Sequence, residues 1–548
     1  MVQELQVNLR VEDVDLTGQV RPEVLKRSAA QALGLPEGRL NDVALLRLSL
    51  DARSKMPCYQ ARVRVYTDDS YRETLSFDFS FAPSKDASFQ RIPSRKVIVA
   101  GMGPAGLFAA LALASAGVQV VLLERGKPVK ERKRDIAAFC RSGLLNPDSN
   151  YSYGEGGAGC FSDGKLYTRS NKRGDIGRVL RIFVHYGAKE EILYQAHPHL
   201  GSDRMPGMIE KMRQDLLSAG AEIRFETKVE RILRDAKGGF AAVVDQHGND
   251  YPADALVLAV GNAAGELWQK MASENILLEE KPFAMGVRLE HPQALVNAMQ
   301  YRGAEKRHFL PTAEYSFVEQ VDGRGVFSFC MCPGGVVIPA ATEQDGLVVN
   351  GMSDSGRNSL WANAGWVTGV DRDALCKAGV ELEAGPLALW YYQRQMEQGF
   401  YRAGVAAVGQ GFAAPAQRLT DFMEGRLSAS LPRSSYPMGV YPALMEQLLP
   451  PFIAQALRGA FQRVSAKKRA FLTEEAVLLG LESRTSSPVR IPRVAETGEH
   501  PQVPGLYPCG EGSGYAGGIT SSAIDGLNCA EKILAKWGIG ATFGNPKP

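Results

Sequence analysis

The chain has 548 residues, and its 63 Lys and Arg residues against 60 Asp and Glu residues leave a net charge of +3. This balance argues against a dedicated nucleic-acid binder, which usually carries a large basic excess. A hydrophobic share of 45% is typical of a folded chain and excludes disorder.

The eight cysteines are scattered without paired CxxC motifs, so we expect no metal site. The N-terminus has no apolar segment of the kind that a signal peptide needs, and the longest apolar stretch, 97–123, is interrupted by glycines and a proline. We therefore expect a cytoplasmic protein with reduced thiols and no membrane partner.

Residues 1–92 are predicted to form a small α+β domain. Apolar residues alternate in several segments, and residues 22–33 have helical spacing up to Gly34. The polar, turn-rich segment 82–88 is the predicted linker to the next domain. The predicted strands are 2–11, 42–51, 59–66 and 73–81.

A dinucleotide-binding motif opens the second unit. Residues 97–106 read as a β-strand followed by GxGxxG, a helix and a second strand follow, and Glu124 stands 18 residues after Gly106. Gly101 allows the tight turn, Gly103 lets the backbone approach a pyrophosphate, and Glu124 suits the ribose hydroxyls while disfavouring a 2′-phosphate. The predicted cofactor contacts here are Gly101, Gly103, Pro104, Ala105, Gly106, Glu124 and Arg125.

The rest of the chain divides into three parts by its pattern. The first part of the nucleotide-binding domain is predicted to span 93–275, an inserted substrate or cap domain 276–475, and a second part of the nucleotide-binding domain 476–548. The elements predicted in these parts are strands at 221–225, 240–245, 255–260, 327–332 and 335–339 and helices at 204–219, 385–397 and 519–537.

A second glycine-rich segment near the C-terminus favours FAD over NAD. FAD is long, so a segment remote from the first motif must meet its ribityl chain and flavin ring. Glu511 suits the ribityl hydroxyls, and the amides at Gly518 and Ile519, at a helix start, suit the flavin edge that gains negative charge on reduction. The predicted FAD contacts outside the first motif are Val229, Gly261, Gly510, Glu511, Gly517, Gly518 and Ile519.

The chain resembles the glutathione-reductase-like flavoproteins and, more closely, the bacterial family of uncharacterised FAD-dependent dehydrogenases. One departure is Gly261-Asn262-Ala263-Ala264-Gly265, where the family has Gly-His-Ser-Ala-Arg. The segments that carry the resemblance are 49–53, 101–106, 154–166, 196–203, 286–292, 330–335, 484–490 and 510–519.

The resemblance implies an α/β fold: a Rossmann-like, glutathione-reductase-type FAD domain with an inserted α+β domain and a small N-terminal α+β domain. It also implies that the loop 154–165 runs past the pyrophosphate towards the flavin. The FAD contacts implied in this loop are Gly156, Gly157, Ala158, Ser162 and Asp163.

The catalytic residues are not identified by the sequence. Cys330 and Cys332 are expected to alternate on a strand with Met331 on the opposite face, as a redox pair or as buried thiols. Each of the remaining candidates for a catalytic or substrate-binding role could instead be structural. The candidates for catalysis are Ser162, Lys165, Cys160 and Arg490. His197, His199 and His291 are candidate proton carriers, and Arg484 is a candidate clamp for a substrate anion.

We expect an FAD-dependent oxidoreductase that transfers hydride between a small molecule and flavin N5. NADH or NADPH as a transient electron donor stays open, and the sequence gives no oligomeric state. One alternative is an FAD-dependent RNA-modifying enzyme that grips RNA through Arg53, Arg62 and Arg64 of the N-terminal domain. The other is a flavin-bound redox sensor or scaffold without turnover.

Overall fold

The computed structural model describes residues 2–54, 56–67, 95–167, 174–303, 310–541 and 543–544. The predicted strand 73–81 and the predicted linker 82–88 lie outside the described residues. Among the helices of the described chain, none has the length and apolar character that crossing a bilayer requires.

The N-terminal unit is a three-stranded antiparallel sheet in the order β1-β3-β2 with one helix packed on it. The helix prediction 22–33 is confirmed, since the helix starts with Pro22 and ends at Gly34, whose φ is 65°. Arg62 and Arg64 both bind Glu4, so a carboxylate already faces these two cations. The elements are β1 (Val2–Arg10), α1 (Pro22–Leu33), β2 (Asp42–Asp51) and β3 (Cys58–Tyr66).

The first part of the nucleotide-binding domain alternates strands and helices. Its β-strands 4, 5, 6 and 10 pair in parallel, while strands 7, 8 and 9 form a separate antiparallel sheet. The strands are β4 (Lys96–Ala100), β5 (Gln119–Leu123), β6 (Glu222–Arg224), β7 (Val229–Arg234), β8 (Phe240–Asp245), β9 (Asp250–Pro252) and β10 (Ala255–Leu258). The helices are α2 (Pro104–Ser115), α3 (Val129–Ser142), α4 (Ile176–His185), α5 (Met205–Ser218) and α6 (Gly265–Ser273).

The inserted unit is built on a seven-stranded, mostly antiparallel sheet in the order β13-β14-β17-β12-β20-β18-β19. Trp366, Phe461 and Phe471 are fully buried between this sheet and its helices. The strands are β11 (Glu279–Glu280), β12 (Phe283–Pro292), β13 (Val318–Val321), β14 (Arg324–Cys332), β15 (Val336–Pro339), β16 (Val349–Met352), β17 (Trp361–Val370), β18 (Ala414–Arg418), β19 (Val440–Pro442) and β20 (Val477–Glu482). The helices are α7 (Gln293–Tyr301), α8 (Arg372–Lys377), α9 (Ala388–Val408), α10 (Leu419–Glu424), α11 (Met445–Leu448) and α12 (Pro451–Lys467).

The C-terminal segment returns to the first sheet. Its elements are β21 (Val489–Arg490), β22 (Leu506–Pro508) and α13 (Ile519–Lys536). β22 pairs in parallel with β10 and completes the order β22-β10-β4-β5-β6. This mixed α/β architecture with a parallel sheet is the Rossmann-like arrangement expected from the sequence.

Two details differ from the sequence-based expectations. The inserted domain was predicted to end at 475, but β20 pairs with β12 and β18, so its sheet continues past that point. The expected alternation of Cys330, Met331 and Cys332 does not hold. The register of β14 against β17 shifts after Phe329, and Cys330 takes a left-handed φ of 44°. A bulge of this kind breaks the two-residue period of a strand.

Candidate functional site

A glycine cradle lies at the carboxyl end of β4. Gly101 has a φ of 99°, and a Cβ there would lie 2.3 Å from the Ala259 carbonyl oxygen. A Cβ on Gly106 would lie 1.9 Å from the Gly101 carbonyl oxygen, so this glycine lets α2 pack on the strand. Gly103 differs, because the atom nearest to its Cβ position, Gly157 Cα, is 3.7 Å away. The backbone at Gly103 is therefore open.

Glu124, at the end of β5, organises this cradle. Its Oε2 accepts a hydrogen bond from the Met102 amide at 2.8 Å, and its Oε1 accepts from the Gly126 and Gly154 amides, both at 2.9 Å. The carboxylate thus connects the backbone at Met102, Gly126 and Gly154, and it also faces the predicted ribose position. These backbone contacts are not predictable from the sequence, because the donors come from loops.

The N-termini of two long helices face one cavity. Gly103 is the N-cap of α2 and Gly518 is the N-cap of α13, and among the described residues no side chain caps either end. Gly526 of α13 brings the helices together, since a Cβ there would lie 2.1 Å from the Ala105 carbonyl oxygen. Uncapped helix N-termini attract anionic groups.

The cavity has a volume of about 1110 Å³, which is large for a small-molecule site and leaves space for a dinucleotide together with a substrate. It gathers most of the predicted FAD contacts from chain segments about 400 residues apart. The predicted residues that line it are Gly101, Gly103, Pro104, Ala105, Glu124, Arg125, Gly157, Ala158, Ser162, Asp163, Lys165, Val229, Gly261, Glu511, Gly517, Gly518 and Ile519.

Among the predicted FAD contacts and the candidates Ser162, Lys165, Cys160 and Arg490, five residues stand outside the cavity lining. Gly106 lies at the helix–strand contact described above. Gly156 packs against Ile209, and Gly510 packs against Ala105, with hypothetical Cβ distances of 2.4 and 2.8 Å. These three glycines shape the backbone around the cavity.

The other two outliers are catalytic candidates. Cys160 is fully buried, and burial raises the pKa of its thiol to about 12, so it stays protonated. Arg490 lies 4.0 Å from Glu279 and over the ring of Tyr515, away from the cavity. The structure therefore brings neither side chain to the predicted flavin position.

Arg125 is fixed at the nucleotide end of the cavity. Its Nε donates to Asp148 at 2.9 Å, and its guanidinium lies 3.9 Å from the ring centroid of Tyr153. Val229, predicted to bracket the adenine, lines the same end together with Lys228 and Glu266.

Glu511 follows β22, an edge strand of the parallel sheet. It accepts a hydrogen bond from Asn262 at 3.0 Å, so the residue that departs from the family run contacts the predicted ribityl acid. Burial raises the pKa of Glu511 to about 7. The protonated form is favoured by the fold, because an ionised carboxyl is costly there.

This raised pKa predicts how stability depends on pH. In FAD-stripped protein, Glu511 is neutral in both states below its ordinary pKa of 4.5, and the folded state loses stability as pH rises towards 7. The loss is at most about 3 kcal/mol. We expect Glu511→Gln, which keeps the acceptor for Asn262, to remove this part of the pH dependence in urea unfolding between pH 4.5 and 8. Identical profiles for the two proteins would contradict the assignment.

The loop predicted to run towards the flavin is held mostly by its own contacts. Ser162 Oγ donates to the Gly159 carbonyl oxygen at 2.9 Å and accepts from the Gly164 amide at 3.1 Å. Both polar functions of this hydroxyl therefore have partners inside the loop.

Asp163 lies at the centre of a buried charge cluster. It accepts from the Ser353 hydroxyl and pairs with Lys165 at 3.2 Å and Arg357 at 3.3 Å. Burial alone would raise the pKa of Asp163, but the two cations and the hydroxyl lower it to about 2. Lys165 also donates to the Met331 carbonyl oxygen, and the surrounding negative charge raises its pKa despite burial. Both groups are therefore charged at neutral pH.

The inserted domain supplies the far wall of the cavity, including residues that the sequence reasoning missed. Glu314 and Arg357 both line it, 3.8 Å apart, and His197 Nδ1 lies 2.5 Å from Glu314 Oε1. Burial raises the pKa of Glu314, but the bond with His197 and the charge of Arg357 lower it overall. No local motif marks Glu314 or Arg357, since the fold brings them to Asp163 across more than 150 residues.

The remaining candidates are structural in this geometry. Burial lowers the pKa values of His199 and His291 to about 4, and His291 bonds the Phe471 carbonyl oxygen at 2.9 Å within the inserted domain. Arg484 lines the cavity, but its guanidinium binds Glu397 at 2.9 Å and Glu343 at 2.8 Å. Its charge is thus already compensated.

A cluster of possible metal ligands lies within the C-terminal segment, where Cys509 follows β22 and Asp525 and Cys529 lie on α13. Ligand atoms of Cys509, Asp525 and Cys529 lie within 4.8 Å of one another. Arg493 donates to Asp525 at 2.6 and 3.1 Å and to Cys529 Sγ at 3.5 Å. A guanidinium therefore supplies the positive charge at this cluster.

Comparison with known proteins identifies the family. An "Uncharacterized protein" of Clostridium beijerinckii is 35% identical over 542 residues, covering 96% of this chain and 99% of that protein. Family models match residues 94–148 as an FAD binding domain and residues 282–485 as "FAD-dependent protein, C-terminal domain-like". The chain belongs to a family of FAD-dependent proteins. A third model, a domain of unknown function, matches residues 1–66 of this flavoprotein.

FAD is the cofactor of this protein, and the geometry suits it. The cradle is open at Gly103, two uncapped helix N-termini face the cavity, and Glu511 faces it from the second FAD segment. These features accommodate a pyrophosphate, the polar edge of a flavin and a polyol chain.

Solved flavoprotein structures share only a distant likeness. Glycine oxidase from Bacillus cereus is 12% identical with a TM-score of 0.28, covering 81% of this chain and 96% of that chain. The flavin-dependent brominase Bmp2 is 12% identical with a TM-score of 0.34, covering 82% and 81%. These likenesses are too distant to indicate a shared reaction or substrate.

Proposed function

We propose that this flavoprotein is an oxidoreductase of the dehydrogenase type, acting on a small molecule bound between the FAD segments and the inserted domain. One observation carries the proposal: the two uncapped helix N-termini and the charged wall of the inserted domain face the same cavity. FAD, when bound, supplies two-electron chemistry by accepting or releasing a hydride at N5.

The chain's own residues are proposed to hold the cofactor along the cavity. Gly103 and the N-terminus of α2 would receive the pyrophosphate, and Glu124 with Val229 would receive the adenosine. Glu511 would bind the ribityl hydroxyls, and the amides at Gly518 and Ile519 the flavin edge.

On the substrate side, Arg357 is proposed to orient an anionic group. Its guanidinium is buried on the cavity wall, and its Nε has no hydrogen-bond partner among the described residues. A planar guanidinium suits a carboxylate.

The pair of Glu314 and His197 is proposed to carry the proton that accompanies hydride transfer. Glu314 lines the cavity with its side chain 33% exposed, and the His197 side chain is 60% exposed. A proton can therefore pass between the cavity and water through the Glu314 Oε1–His197 Nδ1 hydrogen bond.

The reaction is tested by mixing the holoprotein anaerobically with NADH, NADPH and fractionated small metabolites and following loss of the yellow flavin absorbance. A substrate or donor of the proposed class bleaches the protein rapidly and reversibly. A holoprotein that none of these reductants bleaches would contradict the proposal and favour a non-catalytic redox sensor.

We expect Glu314→Gln to lower the bleaching rate at least about 10-fold with the active reductant, because the glutamine amide cannot accept a proton. FAD content should stay unchanged, since Glu314 lies on the opposite wall. His197→Gln should also slow the reaction, with His247→Gln, at an exposed histidine away from the cavity, as the matched control. Equal rates in all four proteins would exclude the proposed proton route.

A further inference from the structure

Two thiols lie at a bulge in the cavity wall. Cys330 lines the cavity and is half-buried, whereas Cys332 is fully buried behind it. Cys330 has the left-handed φ of 44°, which is uncommon for a residue with a side chain and is found mainly where function or packing requires it.

The bulge brings the two side chains together. In a regular strand, residues i and i+2 lie about 6.6–6.8 Å apart, near the upper limit for a disulfide. The register shift after Phe329 takes Cys330 and Cys332 out of this regular geometry. The Cys330 and Cys332 thiols share a hydrogen bond, and Cys332 Sγ also lies 3.4 Å from the Cys330 carbonyl oxygen.

Two cations stabilise negative charge on this pair. Arg288 Nη2 lies 3.5 Å from Cys332 Sγ and donates to the Cys330 carbonyl oxygen at 2.7 Å, and Lys165 faces the pair from the loop 154–165. The hydrogen bond from Cys332 and these cations lower the pKa of Cys330, while the pKa of Cys332 is raised. One proton is thus shared by the pair.

Three carboxyl groups also lie near the two thiols, and two of these carboxyl groups form ion pairs with neighbouring cations. Asp163 is paired with Lys165 and Arg357, and Glu482 is paired with Arg288. Glu511, whose pKa is raised, faces Cys330 from the second FAD segment. These ion pairs weaken the field of the two cations, but Arg288 still contacts Cys332 Sγ directly at 3.5 Å.

We propose that Cys330 and Cys332 form a redox-active dithiol that exchanges with small-molecule disulfides entering the cavity. The Cys330 thiolate attacks one sulfur of the disulfide, so that a mixed disulfide forms and one thiolate leaves. Cys332 then loses its proton and attacks Cys330 Sγ, which forms the Cys330–Cys332 disulfide and releases the second thiol. The small disulfide gains two electrons from the cysteine pair, one proton from Cys332 and one proton from water, and the pair is oxidised to its disulfide. Excess thiol reverses both steps.

Cys509 and Cys529 also share a hydrogen bond beside Arg493, but both are fully buried and neither lines the cavity. Cys160 is buried and protonated. Of the cysteines in the described chain, Cys330 alone lines the cavity. The exchange needs neither the hydride transfer nor the substrate proposed above.

The test uses the full-length holoprotein and glutathione as the probe. The protein is equilibrated in buffers of increasing glutathione-disulfide fraction, its remaining thiols are alkylated, and peptides are mapped by mass spectrometry. We expect a disulfide within the peptide that carries Cys330 and Cys332. Thiols that stay reduced in fully oxidised glutathione would overturn the proposal.

Two variants separate the steps. Cys332→Ser should stop at a mixed disulfide between glutathione and Cys330, and Cys330→Ser should form no mixed disulfide at residue 332. Cys376→Ser, at an exposed cysteine on α8, is the control and should behave like the wild type. A Cys332→Ser protein that takes up no glutathione at Cys330 would overturn the attack proposed for Cys330.

A rate measurement covers the case in which a variant does not fold. In the wild-type protein at pH 7, Cys330 should react with iodoacetamide at least about 10-fold faster than Cys376, because the pair stabilises a thiolate. FAD absorbance before and after alkylation verifies that the cavity is intact. Equal rates for the two cysteines would contradict the proposal.

Discussion

Gly103→Val is expected to give a folded protein that does not retain FAD. Gly103 has φ −77° and ψ −177°, which a β-branched residue adopts readily, and the nearest atom to its Cβ position is 3.7 Å away. The side chain would instead occupy the space above the N-terminus of α2, where the pyrophosphate is proposed to bind. We expect Kd for FAD to rise at least about 1000-fold, roughly 4 kcal/mol.

The measurement is the ratio of flavin to protein absorbance after gel filtration, followed by titration of stripped protein with FAD. Gly103→Ala should give an intermediate loss. Gly207→Ala is the control, since Gly207 is exposed on α5 with no atom within 4 Å of its Cβ position. Full FAD content in Gly103→Val with an unchanged melting temperature would exclude the assigned pyrophosphate position.

The nucleotide-binding unit is predictable because its signals are local. A glycine turn, a helix that starts directly after it and a buried parallel strand all lie within about thirty residues, and each has one main structural solution. The helix 22–33 is likewise fixed by its own proline and glycine. The second FAD segment is predictable because a cofactor as long as FAD requires contacts from a remote part of the chain. The pairing of β22 with β10 has no local signal in the sequence.

The far wall of the cavity was not predictable in the same way. Glu314 and Arg357 lie in segments without a motif, and their meeting with Asp163 depends on how the inserted sheet docks on the FAD domain. The backbone conformation at Cys330 was likewise not predictable from the local sequence. A strand pattern predicts alternation, whereas the bulge that turns this thiol towards Cys332 depends on pairing with β17.

The difference between the predicted end of the inserted domain, at residue 475, and its end in the structure has a similar cause. β20 lies next to the C-terminal FAD segment in the chain, so the sequence places it with that segment. Its hydrogen bonds go to β12, almost 200 residues earlier. Non-local pairing of this kind leaves little trace in the local pattern.

The pairing of β12 with β20 also carries the second large effect, which we expect from Arg288→Met on β12. Arg288 is fully buried, and its Nη1 lies 2.9 Å from Glu482 Oε2 on β20. Its guanidinium also donates to Asn363 at 2.8 Å and to the Cys330 carbonyl oxygen at 2.7 Å. Methionine has no donor, so the Glu482 carboxyl and the Asn363 side-chain oxygen would be buried without this partner. We expect a loss of about 3–5 kcal/mol in the free energy of unfolding.

The pH dependence and a double variant identify the cause of that loss. Burial raises the pKa of Glu482 to about 7 even with Arg288 present, and removal of Arg288 should raise it further. The deficit should therefore be smaller at pH 5.5, where Glu482 takes up a proton, than at pH 8. Arg288→Met with Glu482→Leu removes both charges and should recover part of the stability.

Urea unfolding at the two pH values measures these differences, with Arg372→Met as the control. The Arg372–Glu280 pair is partly exposed, so that change should cost less than about 1 kcal/mol. If Arg288→Met cost no more than this control, the pair would contribute little to the inserted sheet. If the loss were independent of pH, the missing hydrogen bonds rather than the unpaired carboxyl would be its cause.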